Sequence, residues 1–315
     1  MRFLTDLDVE RLLPPPARLV ELAHDALVAL AAGRAEVPAK PAVHPGGLSF
    51  ANAMPAAYAE RNLLGCKWIS IFPENQAQGL PTATGLMVVN DGTTGLPRVV
   101  MEAAALTAAR TAAVSGACIA GLDRVGVTAA VLGAGVQARS HLRVLASLGA
   151  PKVTVFARRA AARQALQEWA RRETPELAVH TVDSREGAVR GAGVVVTALT
   201  IGVSGAQLDP DWFADDALVL PLDYASSIGP DLAASAVLAA DHVPQFEAVR
   251  ATGSLGDYPA AERWTGDLLD GQPRPHGRVV CQNLGNGLSD LVVAAAVADS
   301  AEERGAGQLL VTARP

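Results

Sequence analysis

Chemistry first suggests itself in the stretch VLGAGVQARSHLRVL, residues 131–145. An apolar, β-branched run ends here at Gly133, Ala134 and Gly135, and a helical pattern begins at once. Each small residue has a physical use at such a junction. Gly133 suits a tight turn, Gly135 lets backbone approach a pyrophosphate, and Ala138 fills the third small position. Val136 and Gln137 then open a helix whose N-terminal amides face the phosphates. The chain holds 29 Gly, so a chance Gly-x-Gly is easily found. Context decides for a dinucleotide loop: strand before, helix after, and a second strand on time at 152–157.

The end of that second strand bears on the choice of dinucleotide. An NAD site usually carries a carboxylate there for the ribose hydroxyls, whereas this chain reads Phe156-Ala157-Arg158-Arg159. Two guanidiniums suit a 2′-phosphate, so NADP(H) is expected over NAD(H). The plainer alternative is a pair of solvated arginines at a helix start. Cations at a helix N-terminus oppose its dipole, which favours a bound anion there. Thr197 and Leu199 follow the third apolar strand, and Asp223 ends the fourth, ALVLPLD. Open α/β sheets bind ligands at these strand ends. Asp223 is either a turn cap or an acid/base group beside the nicotinamide.

The elements that must position these residues fall into two textures. Residues 5–33 read as two helices, with a Thr5/Asp8 capping start, a break at 14–16, and a second helix over 17–32 ending at Gly33. From about 40 to 97, runs such as CKWISIF and GLMVVND lie between turn signals and predict strands joined by hairpins. A long alanine-rich helix is expected over 101–122. From 127 onward, short apolar runs (VTAAVLG, KVTVFAR, GVVVTAL, ALVLPLD) alternate with helices over 138–148 and 160–173, which argues for a parallel sheet covered on both faces. LSDLVVAAAVADSAEERG reads as a final helix.

Composition narrows the function classes. The 315 residues suggest about two domains. A net charge of -6 offers no field for a phosphate backbone, so nucleic acid is not an expected partner. The three cysteines, Cys66, Cys118 and Cys281, are far apart, and neither a disulfide framework nor a metal site is indicated. The start, with Asp6, Asp8 and Glu10, lacks secretory character. The most apolar long stretch is broken by Glu102 and Arg110, so no membrane span and a cytoplasmic location are expected.

Several segments together resemble the ornithine cyclodeaminase/μ-crystallin family: MPA (54–56), GCKWIS (65–70), PENQAQGLPTATG (73–85), NDGTTGLP (90–97), LTAARTAAVSG (106–116), GAGVQARSHL (133–142) and VVVTALT (194–200). The resemblance implies a Rossmann dinucleotide-binding domain, set at 122–289, and a discontinuous α+β substrate and dimerisation domain from 1–121 with 290–315. It also implies a homodimer and a small amino-acid or imine substrate. Under it, Lys67 and Arg110 bind the substrate carboxylate, Lys67 next to the reacting carbon, and Thr111 touches the cofactor. Asp223 matches the aspartate of the cyclodeaminases and alanine dehydrogenases, while Gly285 and Asp290 match a closing motif. The residues agree in part. An unpaired Lys67 in an apolar strand would be costly, and Arg110 interrupts an apolar helix. Each is either ion-paired for structure or, with the other, aimed at a carboxylate.

Three departures stand out. Lys40 occupies the place of a second carboxylate-binding arginine and cannot make its bidentate fork. Tyr224-Ala225-Ser226-Ser227 replaces the Pro-Gly-Lys that tends to follow the aspartate. CQNLGNG (281–287) lacks the serine commonly found before its glycine. The function expected is NAD(P)-dependent C–N chemistry on an amino acid, with ornithine cyclodeamination as the best match. The alternatives are a ketimine or cyclic imine reductase, an amino-acid dehydrogenase, and a non-catalytic NADP-dependent binding protein of the crystallin type. The retained Asp223 argues against the last.

Overall fold

The computed structural model of the chain describes residues 1–202, 205–261 and 263–310. The side chain of Gln76 and the last five residues of the 290–315 segment lie outside the described part. Two compact units result, Met1–Arg110 with Asn286–Pro315, and Thr111–Gly285. The division falls inside a helix at 110/111 rather than after it at 121/122, and before residue 286 rather than 290.

The first unit opens with β1 (Arg2–Leu4), α1 (Asp6–Leu12) and α2 (Pro16–Ala31). Thr5 and Asp8 cap α1 reciprocally, each side chain accepting the other's backbone N–H. Pro16 starts α2 at the position where a missing N–H loses no helical bond. Then come β2 (Ala42–Gly46), β3 (Ser49–Tyr58), β4 (Leu63–Ile71), β5 (Ala83–Asp91), β6 (Pro97–Glu102) and α3 (Ala104–Gly121). Asp91 closes the β5–β6 turn by accepting the N–H groups of Thr93 and Thr94. Met101 and Glu102 end β6 instead of starting α3. Met101 is paired on both sides, with Leu4 and Met87, and that ladder outweighs its helix propensity. Helix α3 has the length and hydropathy of a membrane span, but most of it is buried inside the fold, as in a core helix.

The second unit is a parallel sheet with intervening helices: β7 (Ala129–Leu132), α4 (Val136–Ser147), β8 (Lys152–Phe156), α5 (Ala160–Glu173), β9 (Ala178–Val182), α6 (Arg185–Val189), β10 (Val194–Thr197), β11 (Leu218–Pro221), α7 (Pro230–Ala234), β12 (Val237–Ala240), α8 (Val243–Ala251), β13 (Arg263–Trp264), α9 (Thr265–Leu269) and β14 (Val279–Gln282). The sheet order is β13-β12-β14-β11-β10-β7-β8-β9. Every residue of β7, β10, β11 and β14 is buried, as expected of strands covered on both faces. The chain winds outward from β7 to β8 and β9, then returns to β10 and β11 on the other side. The crevice between β7 and β10 is therefore the topological switch point of a Rossmann-type sheet.

The chain closes with α10 (Gly287–Arg304) and β15 (Gln308–Leu309), both in the first unit. Its seven-stranded sheet has the order β15-β1-β6-β5-β4-β3-β2, and α10 packs on β3, β4, β5 and α2. Two glycines permit a close approach. A Cβ on Gly287 would stand 2.7 Å from the Pro55 carbonyl oxygen, and one on Gly65 would stand 2.7 Å from Leu291. The helix therefore lies directly over β4.

Candidate functional site

In the first unit, that close packing builds a buried charge cluster. Residues 65, 67 and 69 of β4 face α10, so Lys67 points inward where its neighbours are apolar. Asp290, one turn after Gly287, meets it. The Lys67 Nζ lies 2.6 Å from Asp290 Oδ1, and the Arg110 Nε lies 2.7 Å from the same oxygen. Lys67 also donates to the Thr107 hydroxyl at 3.4 Å. Lys67 and Asp290 are fully buried and Arg110 is nearly so. The second oxygen, Asp290 Oδ2, has no hydrogen-bond partner among the described residues.

Burial pushes the Lys67 ammonium down to about 7, with repulsion from Arg110 adding to it and Asp290 opposing; Lys40 contributes further repulsion. Two cations thus share one carboxylate, and a third, Lys40, repels Lys67. Of the sequence-derived cations, Lys40 is half-buried and acts by that repulsion, while Lys67 and Arg110 are brought together on Asp290, the counter-ion whose pairing the sequence did not reveal. Its helical spacing from Gly287 was the available signal.

In the second unit, Gly133, Ala134 and Gly135 form the turn from β7 into α4, and Val136 and Gln137 begin the helix. Gly133 has φ +127°, and a Cβ there would meet the Ala198 carbonyl oxygen at 2.6 Å. Only glycine fits. Gly135 is different. A Cβ on it meets nothing within 4 Å, and α4 has no side-chain cap. The first amides of α4 are thus uncovered by the loop itself. The Gln137 Oε1 is buried without a hydrogen-bond partner among the described residues. Open space at the glycine, uncapped amides and the switch-point position fit a dinucleotide. Arg158 and Arg159 are exposed at the end of β8, where α5 begins, also without a side-chain cap. Thr111 lies in α3, half-buried, seven positions before Cys118 on the same helix.

Asp223 follows β11 and is fully buried. Its Oδ1 accepts from the Thr197 hydroxyl at 2.8 Å; its Oδ2 accepts from the Leu199 N–H at 3.1 Å and the Ser227 hydroxyl at 2.6 Å. Desolvation raises this carboxyl above the usual carboxylate range, against the pull of Ser227, Thr197 and Leu199. Thr197 and Leu199 therefore serve as partners of Asp223, and Ser227, in the segment that departs from the resemblance, is a partner the sequence did not announce. Tyr224, the next residue, holds φ +59°, an uncommon backbone state that marks this strand end as constrained. A further carboxylate was missed. Asp241 ends the apolar run VLAAD of β12 just as Asp223 ends ALVLPLD, and it accepts the N–H groups of Leu284 and Gly285.

A switch-point sheet with a glycine loop in one unit, and an α+β arrangement in the other, define a Rossmann-type two-unit α/β protein. The chain belongs to the ornithine cyclodeaminase/mu-crystallin family, whose model matches residues 2–303. The nodulation efficiency protein NfeD of Rhizobium meliloti is 33% identical over 319 residues, 98% of each chain. Delta(1)-pyrroline-2-carboxylate reductase 2 of Burkholderia ambifaria is 32% identical over 191 residues, 60% of each chain. Among solved structures, the Delta(1)-pyrroline-2-carboxylate reductase of Thermococcus litoralis, in complex with NADH and L-proline, matches with a TM-score of 0.86 at 21% identity, covering 98% of this chain and 100% of that one.

Proposed function

We propose that this protein is a nicotinamide-dinucleotide-dependent oxidoreductase of amino-acid C–N bonds, and that it reduces a small cyclic imine carboxylate to the amino acid. The observation that carries this reading is the buried cluster of Lys67 and Arg110 around the Asp290 carboxylate, with the half-buried Lys40 near enough to repel Lys67. With all groups ionised, its surplus positive charge is complementary to a substrate carboxylate, and Arg110 supplies a planar donor for it. Lys67, held down at about 7, can give a proton near neutral pH, which C–N reduction requires at nitrogen. Asp223 is the second proton-handling group, with an acceptor position left on Oδ1 beside the Thr197 bond. The relatives named for reducing pyrroline-2-carboxylate support the same chemistry.

Gly133, Ala134, Gly135, Val136, Gln137 and Thr111 would hold the dinucleotide, which supplies the redox equivalents. Arg158 and Arg159 would hold a 2′-phosphate, giving a preference for NADP(H). The retained Asp223 favours a second reading, cyclodeamination of ornithine or a close homologue to the cyclic amino acid and ammonia. The test offers cyclic imine carboxylates with each reduced dinucleotide, and offers ornithine, lysine, proline and alanine with each oxidised one, following absorbance and ammonia together. Stoichiometric loss of reduced dinucleotide with an imine supports the first reading. Ammonia from ornithine with no net redox change replaces it with the second. Neither turnover nor dinucleotide binding would overturn both.

The assembly we infer is a homodimer. Residues 66 and 68 of β4 and 86 and 88 of β5 lie on the sheet face opposite α10, and Trp68 and Leu86, paired across the strands, are 46% and 43% exposed. Leu64 on the same face is exposed as well. An apolar sheet face of this kind is suited to burial against a second copy.

A further inference from the structure

The Asp223 carboxyl offers four lone-pair positions, and side-chain and loop donors take three of them. The Thr197 hydroxyl donates to Oδ1 at 2.8 Å. The Leu199 N–H donates to Oδ2 at 3.1 Å, and the Ser227 hydroxyl donates to the same oxygen at 2.6 Å. The Ser227 contact is the shortest of the three, and its length is that of an O–H···O⁻ bond to an ionised acceptor. The position left is on Oδ1. A proton that joins this carboxyl without displacing a donor therefore sits on Oδ1.

The backbone builds Ser227 into its place. Tyr224, with φ +59°, reverses the chain after Asp223, and the Ser226 N–H donates to the Asp223 carbonyl at 3.1 Å to close the turn. The Ser227 carbonyl accepts the Leu208 N–H at 2.9 Å, and the residue is fully buried. The turn thus returns the hydroxyl to the carboxyl four residues earlier. Ser226 serves a different bond, its hydroxyl oxygen accepting the Gly202 N–H at 2.9 Å.

The titratable groups around Asp223 have other commitments. The Tyr258 hydroxyl, pushed up by burial and then by the Asp223 charge, donates to the Ile228 carbonyl at 2.9 Å. Asp241, at the end of β12, accepts the N–H groups of Leu284 and Gly285. The Tyr224 hydroxyl is pushed up to about 12 by burial and by Asp241. Burial also raises the Asp223 carboxyl, and Ser227 is the foremost of the donors that oppose it.

We propose that Ser227 is a positioning residue for the reaction: by occupying Oδ2 it confines the exchangeable proton of Asp223 to Oδ1, and the proton passes between Oδ1 and the substrate nitrogen. The inference rests on the proposed oxidoreductase function. It gives the departure at Tyr224-Ala225-Ser226-Ser227 a role in catalysis. Without the Ser227 hydroxyl, Oδ2 offers the proton a second, unproductive place. The carboxylate also loses a donor, so the ionisation of Asp223 moves to higher pH.

The test follows kcat and KM against pH, with the full chain and the substrate that the wild type turns over best. Asp223→Asn identifies the limb of the profile that belongs to Asp223, because that limb disappears. Ser227→Ala should move the same limb up by about one pH unit or more, the effect of losing a hydrogen bond to a charged group. It should lower kcat about tenfold or more at the wild-type optimum, with KM little changed. Ser227→Thr keeps a hydroxyl and should restore the limb. Ser226→Ala removes the neighbouring hydroxyl and should leave the limb where the wild type has it. If Ser227→Ala does not fold, Ser227→Cys, which keeps the bulk and donates weakly, takes its place. An unmoved limb overturns the inference, whatever happens to kcat. So does a folded Ser227→Thr that behaves as Ser227→Ala, or a Ser226→Ala that shifts the limb as far.

A second measurement needs no turnover. Asp223 is raised above 3.8 in the folded chain, and losing Ser227 raises it further. The folded variant then holds its proton to higher pH than the wild type, and stability falls as pH rises through that window. The deficit of Ser227→Ala in denaturant midpoint should therefore widen with rising pH, and stay flat when both chains also carry Asp223→Asn. A deficit that is flat in both backgrounds overturns the inference. A wild type without turnover on any substrate would refute the proposed function, and the stability comparison would still decide whether Ser227 controls the Asp223 carboxyl.

Discussion

At the residue scale, one lysine carries a measurable signature. The Lys67 ammonium is depressed from about 10.5 to about 7 in the folded chain, chiefly by burial. Between those values the unfolded chain binds more protons than the folded one, so stability rises with pH across that window. Wild type should therefore gain stability between pH 7 and 9.5 relative to Lys67→Met, read as the difference in denaturant midpoint at each pH. A flat difference would mean that Lys67 titrates normally. Activity should run the other way, because the charged, proton-bearing form is lost above about pH 7; imine reduction should decline on the alkaline side, and Lys67→Met should abolish that limb. Asp223 is tested by Asp223→Asn, which keeps the shape and a partner for Thr197. Turnover should fall by about 10²–10⁴-fold, the usual range for a general acid–base group, with cofactor affinity retained. Wild-type turnover would leave Asp223 as a fastener of the β10 and β11 ends.

At the scale of elements, the β7–α4 turn separates two kinds of glycine. Gly133→Ala forces a side chain into φ +127° and against the Ala198 carbonyl, so it should destabilise the fold by roughly 1–3 kcal/mol or more. Gly135 has φ -87° and open space around it, so Gly135→Ala should melt with the wild type yet bind dinucleotide more weakly, because the added methyl occupies the approach to the helix amides. Thermal melts with and without dinucleotide distinguish the two. Equal behaviour of the variants would remove the loop from cofactor binding. The end of β8 is tested by Arg158→Ala and Arg159→Ala. NADPH affinity should drop in one or both with NADH affinity little changed, measured by fluorescence titration. An NADH preference in the wild type would refute the expectation.

At the scale of the whole molecule, the exposed sheet face around Trp68 and Leu86 is the feature that a single chain leaves uncovered. A charge placed there should disrupt burial against a second copy. Trp68→Glu should convert a dimer to a monomer by light scattering after gel filtration, with the far-ultraviolet dichroism of each chain unchanged. A wild type that is monomeric at micromolar concentration would dispose of the dimer.

Local patterning accounts for much of this fold. The Thr5 cap, the break at 14–16, the hairpin strands of the first unit and the strand–turn–helix around Gly133 are set by neighbours within a few residues, where turn geometry and side-chain period act directly. β12, β13 and β14 did not announce themselves. They are short, lie between loops, and become strands because β11 and one another supply their partners. The same limit applies to the sites. Lys67 and Arg110 can be singled out because a cation in an apolar segment is conspicuous in one dimension. Their common carboxylate lies 180 positions beyond Arg110 in the chain, and it reaches them because Gly65 and Gly287 let α10 settle on β4. Asn283 stands out only in the fold, where its buried carboxamide and the neighbouring Gln282 Oε1 both lack a hydrogen-bond partner among the described residues. Residue types and short spacings determine which groups can do chemistry; burial and partners are properties of the assembled sheet, and they decide which groups are charged, paired or left waiting.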